Sequence, residues 1–237
     1  MANIIELKNI NKIYGDKIKT QVLYDINVDI DEGSFNSIIG ESGSGKSTML
    51  NIMGTLDKPT SGEVYILGKR TDTLNKEQLS ILRNQTIGFI FQFHYLLPEF
   101  TAKENVLMPY KIMNYHVPKE INDWADELLN FVGLSKVANN LATNMSGGQQ
   151  QRTAIARALI NKPKIILADE PTGNLDSETT ENVYTILRDI NAKYNTTFLI
   201  ITHDQRIAEK TDRIIQVKDG KINLDLIKDH PQTVLNI

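Results

Sequence analysis

The chain contains the stretch Gly40-Glu41-Ser42-Gly43-Ser44-Gly45-Lys46-Ser47. Its spacing of glycines before a Lys-Ser pair is that of a phosphate-binding loop, the P-loop. The short, more apolar stretch 35–39 before it predicts a strand, and Met49, Leu50 and Met53 after it predict the inner face of a helix. Because strand, loop and helix in this order are the context in which such a loop binds a triphosphate, we predict a nucleotide site here.

Each part of the P-loop has a physical role. Glycines allow the backbone to curl so that successive N–H groups point at one anion, and the following helix adds its positive N-terminal end. Lys46 is predicted to reach the β- and γ-phosphates, and Ser47 is predicted to offer its hydroxyl to Mg²⁺. The alternative is a glycine-rich turn that arises by chance, which the strand–loop–helix context disfavours.

A second predicted strand, over 165–168, ends in two carboxylates, Asp169 and Glu170. Its uninterrupted apolar residues are typical of a parallel sheet, where ligands gather at the carboxyl ends of strands. Asp169 is therefore predicted to hold Mg²⁺, and Glu170 is predicted to polarise an attacking water as a general base. The alternative is an acidic pair that faces solvent at the end of a strand.

A second glycine-rich segment, Ser146-Gly147-Gly148-Gln149, precedes a predicted helix with apolar residues on one face. Ser146 suits the N-cap position, and the two glycines expose backbone N–H groups at the positive end of the helix. The sequence therefore predicts a second phosphate site, one without a lysine. The alternative is a helix with an ordinary cap and no ligand.

Composition narrows the class of protein. The 237 residues are 41% hydrophobic and 23% charged, with a formal net charge of -3, which predicts a globular chain without the basic excess of a nucleic-acid binder. The sequence has no cysteine, which excludes disulfides and thiolate catalysis. The N-terminus lacks a signal-peptide pattern and no apolar run reaches the roughly 18–20 residues of a membrane span, so we expect any membrane role to require a partner.

The order of these motifs resembles that of ABC ATPases. The P-loop is followed by Gln92 after a predicted strand, then by Ser146-Gly147-Gly148-Gln149, by Asp169-Glu170, and by His203 after another predicted strand. The resemblance covers the chain from about residue 3 to 226. It implies an α/β fold of the P-loop NTPase type, with a RecA-like core, a mostly parallel sheet, an N-terminal antiparallel β subdomain and an inserted helical subdomain.

The resemblance also implies one ABC ATPase domain over 1–237. We expect the core, with its β subdomain, to comprise 1–92 and 161–227. Residues 93–160, where apolar residues recur at helical spacing, are expected to form the helical subdomain, followed by a tail at 228–237.

Turn residues and polarity predict two connections in the β regions. Asp219-Gly220 lies between two short β runs, and this dipeptide favours a tight hairpin. The polar segment 14–21 separates two runs of alternating apolar residues, so we expect it to form a loop.

In ABC ATPases an aromatic residue near the N-terminus stacks on adenine, and Tyr14 occupies that place. Gln92 matches the glutamine that contacts Mg²⁺ or the attacking water and links the core to the helical subdomain. Asp176 matches a loop that touches the opposite subunit, and His203 matches the histidine that contacts the γ-phosphate. Three alternatives stay open: a surface tyrosine for Tyr14, a helix N-cap for Asp176, and a loop or core histidine for His203.

The resemblance implies a homodimer that forms head to tail on binding ATP and Mg²⁺. Each ATP would lie between the P-loop of one copy and the signature segment, Ser146-Gly147-Gly148-Gln149, of the other, which would explain why that segment has no lysine. Met145 stands where the signature usually has leucine, and the similar volume of the two side chains predicts little effect.

Residues 91–101, Phe91-Gln92-Phe93-His94-Tyr95-Leu96-Leu97-Pro98-Glu99-Phe100-Thr101, resemble the lipoprotein-releasing branch, which is similar to macrolide and peptide exporters. The resemblance implies an ATP-hydrolysing subunit at the cytoplasmic face of the cell membrane. It would power export or extraction of a lipoprotein, peptide or hydrophobic compound through a separate integral-membrane permease. We expect the permease to bind residues 93–110, whose apolar side chains could alternatively pack within the helical subdomain.

Two other functions compete with a transporter subunit. A soluble ABC ATPase that acts on DNA or ribosomes would usually carry two cassettes or a long coiled coil, and this sequence has one cassette and no heptad run. A P-loop GTPase or small-molecule kinase would leave the signature segment unexplained, and the sequence lacks the Asn-Lys-x-Asp motif that reads guanine.

Overall fold

The computed structural model describes residues 2–228. Its strands are β1 (Asn3–Tyr14), β2 (Thr20–Asp31), β3 (Phe35–Ile39), β4 (Ser61–Ile66), β5 (Lys69–Arg70), β6 (Ile87–Phe91), β7 (Ile165–Asp169), β8 (Thr197–Ile201), β9 (Arg213–Lys218) and β10 (Lys221–Ile227). Its α-helices are α1 (Lys46–Met53), α2 (Lys76–Thr86), α3 (Ala102–Met113), α4 (Lys119–Phe131), α5 (Gly147–Leu159), α6 (Ser177–Tyr194) and α7 (Gln205–Glu209). Short 3₁₀ turns cover Ser135–Val137 and Ala142–Asn144.

The larger sheet has the strand order β10-β9-β3-β8-β7-β6. All neighbouring strands are parallel except β9 and β10, which are antiparallel. The apolar strands β7 and β8 are almost entirely buried, as expected for central parallel strands. Because β3, β7 and β8 are parallel neighbours, the loops that follow them meet at one edge of the sheet. The α/β fold with a mostly parallel sheet is therefore confirmed.

The smaller sheet is antiparallel, with the order β2-β1-β4-β5. Helix α1 lies between the two sheets, since its buried methionines belong to one cluster with residues of both. Members of that cluster include Ile5 and Leu7 of β1, Met49 and Met53 of α1, and Leu167 and Ile201 of the larger sheet. The helix that follows the P-loop is thus fixed from both sides.

Helices α3, α4 and α5 pack against one another, and α5 also packs on strand β6. The helical spacing of apolar residues noted within 93–160 is seen in α4, where Ala125, Leu128 and Leu129 form a fully buried face. Ile155 of α5 belongs to the same hydrophobic cluster as Ile166 of β7, so the helices share a core with the sheet. The boundaries of the helical subdomain at 92/93 and 160/161 stay predictions.

Local details correct one expectation and confirm another. The loop predicted over 14–21 is wrong at both ends, because Tyr14 pairs with Thr20 and Ile13 with Gln21 in the β1–β2 ladder. The hairpin at Asp219-Gly220 is confirmed, with φ of 47° and 74°, the left-handed values of a type I′ turn. The expected tail falls, beyond its first residue, outside the described residues. No helix within residues 2–228 combines the length and apolar character that crossing a membrane requires.

Candidate active site

The P-loop connects β3 to α1 at the carboxyl edge of the larger sheet. Gly40, Gly43 and Gly45 have left-handed φ values of 149°, 79° and 106°, which residues with a Cβ rarely adopt. A Cβ on Gly40 would also overlap the carbonyl oxygen of Val217, and one on Gly45 would lie 2.8 Å from Cδ2 of Leu23. The glycines therefore produce the curled backbone that directs N–H groups toward a single anion.

Two polar side chains inside this loop fit an anionic ligand. The ammonium group of Lys46 is buried and donates to the carbonyl oxygens of Gly40 and Glu41 at 2.9 and 2.7 Å. The Oγ atom of Ser44 is buried and has no hydrogen-bond partner among residues 2–228. Helix α1 begins after Gly45 without a side-chain cap, so its first N–H groups are available to a ligand. Lysine, hydroxyl and helix N-terminus together suit a bound phosphate.

Asp169, at the end of β7, lies beside the P-loop. Burial raises the pKa of its carboxyl group, a hydrogen bond from the Ser47 hydroxyl opposes this shift, and the neighbouring Glu170 adds to it. A hydroxyl and a carboxylate oxygen are ligands that Mg²⁺ prefers. The two predicted metal ligands, Ser47 and Asp169, are therefore in contact and fit the ion by their chemistry.

Glu170 and His203 are brought together from the ends of adjacent strands. The Oε1 atom of Glu170 lies 3.1 Å from Nδ1 of His203. The backbone of Glu170 is left-handed, with φ of 47°, and its N–H donates to the carbonyl oxygen of Ile201 at 3.0 Å. Such a conformation costs about 1–3 kcal/mol in a non-glycine residue and persists where the surroundings impose it, which is typical of functional sites.

Gln92 approaches the same carboxylate from the end of β6. A Cβ on Gly173 would lie 2.7 Å from Nε2 of Gln92 and 3.2 Å from Oε2 of Glu170, so only a glycine leaves room for both. The amides of Gln92 and Asn174 also contact each other, with Gln92 Nε2 at 3.4 Å from Asn174 Oδ1. The structure thus gathers Gln92, Glu170 and His203 at one edge of the sheet.

The signature segment has a different local structure. Ser146 caps α5 in a capping box, accepting from the N–H of Gln149 at 3.3 Å while its own N–H donates to Oε1 of Gln149 at 2.9 Å. A Cβ on Gly147 would meet nothing within 4 Å, and one on Gly148 would lie 2.8 Å from Cγ2 of Thr179. The ordinary cap considered above is therefore present, and the backbone of Gly147 faces open space.

Asp176 likewise forms a helix cap. Its carboxylate accepts from the N–H and the hydroxyl of Thr179, at 2.9 and 2.7 Å, at the start of α6. These hydrogen bonds hold the pKa of Asp176 below its usual value. The N-cap alternative for Asp176 is thus realised, and it is compatible with a second role at a subunit interface.

Tyr14 lies at the end of β1, where 40% of the residue is exposed. Its hydroxyl donates to Oδ2 of Asp57 at 2.7 Å. The exposed ring leaves open both a surface tyrosine and a stacking platform for a base.

Comparison with known proteins identifies the family of this chain. The family model described as ABC transporter matches residues 23–173, more than half of the chain. The chain belongs to the ABC transporter ATP-binding family. It is 50% identical over 224 residues to the lipoprotein-releasing system ATP-binding protein LolD 1 of Rhodopseudomonas palustris, a match that covers 94% of this chain and 99% of that protein.

Another LolD protein and a solved structure extend this match. The lipoprotein-releasing system ATP-binding protein LolD of Anaeromyxobacter dehalogenans is 45% identical, over 93% of each chain. The ATP-binding cassette MJ0796, in a dimeric post-hydrolysis state bound to ADP and Pi, is 44% identical and matches with a TM-score of 0.87, over 94% of this chain and 98% of that one. The fold predicted from the resemblance, that of a P-loop NTPase, is therefore confirmed.

The family assignment settles the broad function. The chain binds ATP and is an ATP-hydrolysing subunit of an ABC transporter, as predicted. The predicted partnership with a membrane permease, and hence peripheral association with a membrane, follows from this membership. The relatives and the structure named above are transporter components, which contradicts the alternatives of a DNA- or ribosome-directed ATPase and of a GTPase or kinase. The roles of individual residues stay predictions.

The signature segment of this ABC transporter subunit lies apart from its P-loop in the network of polar contacts. Within residues 2–228, no hydrogen bond joins 146–149 to 40–47, and the side chain that Gly148 approaches most closely is Thr179 of α6. Within one copy, the predicted signature residues are therefore not joined to the predicted P-loop residues.

Sequence reasoning missed the residues that connect α5 to the loop after Gln92. The guanidinium of Arg157 donates to the carbonyl oxygens of His94 and Tyr95, both at 2.6 Å, and both of these residues have left-handed φ. Gln151 is fully buried and donates to the carbonyl oxygen of Pro171 at 2.6 Å. Polar residues within a buried helix need such partners, so their position in α5 is the signal that could have found them.

Proposed function

We propose that this ABC transporter subunit hydrolyses ATP in a head-to-tail homodimer and drives a membrane permease that extracts or exports a lipoprotein, a peptide or a hydrophobic compound. The observation that carries the proposal is the pairing, in one chain, of a complete phosphate cradle at 40–47 with an open, lysine-free helix end at 146–149. The relation to lipoprotein-releasing LolD proteins makes a lipoprotein the favoured cargo.

Dimerisation is supported by what the signature segment lacks. Its N–H groups and the positive end of α5 suit a phosphate, but a triphosphate carries several negative charges that a helix end alone does not neutralise. A second copy would bring the missing cation, Lys46, together with the nucleotide that it holds. The dimeric state in which MJ0796 is described supports the same assembly.

The reaction converts ATP and water to ADP and phosphate. Glu170 would accept a proton from the attacking water, while the contact with Nδ1 of His203 at 3.1 Å orients its carboxylate. Gln92, which also approaches Glu170, would help to place that water. Ser47, Gln92 and Asp169 would hold Mg²⁺, which when bound supplies positive charge to the phosphate oxygens. Tyr14 would stack on adenine, a contact that discriminates weakly between bases.

An apolar groove suits the permease. It has a volume of about 340 Å³ and lies between α2, β6, α3 and α5, with walls that include Leu56, Phe89, Phe91, Ile112 and Met113. Ile112 and Met113, which are 69% and 43% exposed, lie side by side at its rim, and apolar patches of this kind occur at sites where partners bind. We propose that an amphipathic helix of the permease, on the cytoplasmic face of the membrane, occupies this groove.

The groove also suits the transmission of motion. Its floor is β6, the strand that ends immediately before Gln92. Phe93 and Tyr95, in the segment predicted to bind the permease, are 67% and 64% exposed instead of packing inside the helical subdomain. A helix seated in the groove would therefore contact β6, the strand that leads to Gln92.

Co-purification from membranes tests the proposal. The tagged chain should be recovered with an integral-membrane protein, and Ile112→Asp should abolish this recovery because a charge would be buried against an apolar helix. Ile227→Asp is the matched control, since Ile227 is also exposed, at 63%, but lies on β10 at the opposite edge of the sheet. If Ile112→Asp still recovers the membrane protein, the groove is not its binding site. Recovery of DNA or ribosomes in place of a membrane protein would exclude the transporter function.

Cargo is tested separately in vesicles. The chain and its permease, reconstituted together, should release a membrane-bound lipoprotein into solution with ATP and not with ADP. A protein of the same sequence without its lipid is the control. Transport of a small hydrophobic compound with no release of lipoprotein would contradict the proposal that the cargo is a lipoprotein. The assignment as an ATPase would be unaffected.

A further inference from the structure

A compact polar network lies behind the ring of Tyr14. Lys12, two residues earlier on β1, is only 9% exposed. Its ammonium group donates to Oδ1 of Asp57 at 2.6 Å and to the carbonyl oxygen of Lys58 at 2.7 Å, and it lies 4.6 Å from the centroid of the Tyr14 ring. The other oxygen of Asp57 accepts from the Tyr14 hydroxyl at 2.7 Å. Lysine and aspartate therefore hold the tyrosine at both its ring and its hydroxyl.

The network is firmly placed. The carboxylate of Asp57 also accepts from the N–H of Lys58 at 2.7 Å. The segment that carries these residues is bound to β1, because Thr60 donates its N–H to Asn11 at 2.8 Å and accepts from the N–H of Ile13 at 2.9 Å. The sequence gives no hint of this arrangement, since Lys12 and Asp57 are 45 residues apart.

The electrostatics of the network agree with its geometry. Burial would raise the pKa of Asp57, but hydrogen bonds from Lys12, Tyr14 and the Lys58 backbone outweigh it and hold the pKa below its usual value. Burial and the bond to Asp57 raise the pKa of Tyr14, while the Thr48 hydroxyl acts in the opposite direction. Because Thr48 belongs to the first turn of α1, Tyr14 lies next to the end of the P-loop.

We propose that Lys12 and Asp57 are positioning residues for the base of ATP, which hold the Tyr14 ring in the orientation that stacks on adenine. The inference rests on the proposed role of Tyr14. A tyrosine that is free to rotate must be ordered when the ligand binds, and a ring held in advance avoids that cost. Lys12 covers one face of the ring by a cation–π contact, so the base stacks on the other face.

Binding of two ligands tests the inference. ATP and inorganic tripolyphosphate are titrated, each with Mg²⁺, into the full chain by calorimetry. Asp57→Ala and Tyr14→Phe should each weaken the binding of ATP by about three- to tenfold, the effect of one lost hydrogen bond, and should leave the binding of tripolyphosphate unchanged. Adding Tyr14→Phe to Asp57→Ala should weaken ATP binding no more than Asp57→Ala alone, because the acceptor of the Tyr14 hydroxyl is already absent.

Matched variants separate the inference from its premise. Lys12→Met removes the cation–π contact with Tyr14. Its control is Lys8→Met, because Lys8 lies on the same strand and makes similar contacts, 4.6 Å from the centroid of the Tyr65 ring and 2.8 Å from Glu6. Tyr14→Ala should weaken ATP binding more than Tyr14→Phe does. If Tyr14→Ala binds ATP as tightly as the wild type, Tyr14 does not stack on the base. If Tyr14→Ala weakens ATP binding but Tyr14→Phe and Asp57→Ala do not, the ring needs no support from Asp57 and the inference fails. An equal loss for tripolyphosphate would show a general structural effect and would also overturn the inference.

Discussion

The P-loop at 40–47 and the signature segment at 146–149 are built from the same elements and end in different states. Both place glycines and a serine at the start of a helix. In the P-loop the glycines are left-handed, Lys46 and Ser44 are buried, and the helix has no side-chain cap. In the signature segment the helix is capped by Ser146, and the space beside Gly147 is open.

The difference explains why the P-loop is predicted to bind a phosphate by itself and the signature segment is not. A helix N-terminus attracts an anion in both regions, but only the P-loop adds an ammonium group and surrounds the ligand with backbone. In the signature segment, the hydroxyl of Ser146 caps its own helix. The segment's proposed affinity for a phosphate would therefore depend on a nucleotide held by another molecule.

Glu170→Gln offers the strongest test of this comparison, because it should stabilise the state in which both regions hold one nucleotide. Loss of the general base should lower the rate of ATP hydrolysis by about 10²- to 10⁴-fold and leave ATP binding intact. Phosphate release measures the rate, and size-exclusion chromatography with ATP should show a dimer. Full activity would contradict the role of Glu170, and a monomer would contradict the shared site.

Ser146→Arg changes the signature segment and leaves the P-loop intact. A large side chain at the open end of α5 should prevent a second copy from closing on the nucleotide and should lower turnover on the order of 100-fold. The affinity of the monomer for ATP should not change, because the P-loop is intact. In the Glu170→Gln background the same substitution should remove the dimer. Normal turnover would show that the segment does not share a site.

Lys46→Ala breaks the P-loop half alone. Removing a charge-assisted hydrogen bond to phosphate should weaken ATP binding by about 10- to 100-fold, as measured by calorimetry. Lys164→Ala is the control, since Lys164 has a side chain that is 60% exposed and makes only a 3.8 Å ion pair with Glu32. Unchanged affinity in Lys46→Ala would remove the P-loop assignment.

Ser146→Ala should give the smallest effect. It separates the role of Ser146 as a helix cap from its predicted role at the nucleotide. Loss of the cap should cost about 1 kcal/mol and lower the melting temperature by about 2–4 °C. Thr101→Ala removes an equivalent capping box, with Glu104, at the start of α3 and should cost the same. Only Ser146→Ala should also reduce turnover. Equal turnover in the two variants would mean that Ser146 serves its helix alone.

Continuous local patterns allowed most of the fold to be predicted from the sequence. Strand β3 has the predicted ends, and β7 extends only one residue beyond its predicted apolar run at 165–168. The loop at 14–21 was predicted too long, since its polar ends pair across an exposed ladder that polarity does not reveal. Helical patterning also did not reveal that α3 begins only at Ala102, after a segment in which His94 and Tyr95 are left-handed.

The candidate site divides in the same way. Glycines, Lys46 and the pair Asp169-Glu170 could be found because their chemistry is local to one motif. Asp57 and Arg157 could not, because each acts on a residue that is more than 40 positions away, Tyr14 and Tyr95 respectively. Contacts of this kind depend on how strands and helices pack, which no single segment encodes.

Helix α5 joins two places that are distant along the protein surface. Ser146 caps its first turn, and Arg157 in its last turn grips the carbonyl oxygens of the segment that follows Gln92. An α-helix of 13 residues is about 20 Å long and resists bending and compression. A second copy that displaced the first turn of α5 would therefore be expected to displace Arg157 as well, and with it the stretch of chain that follows Gln92.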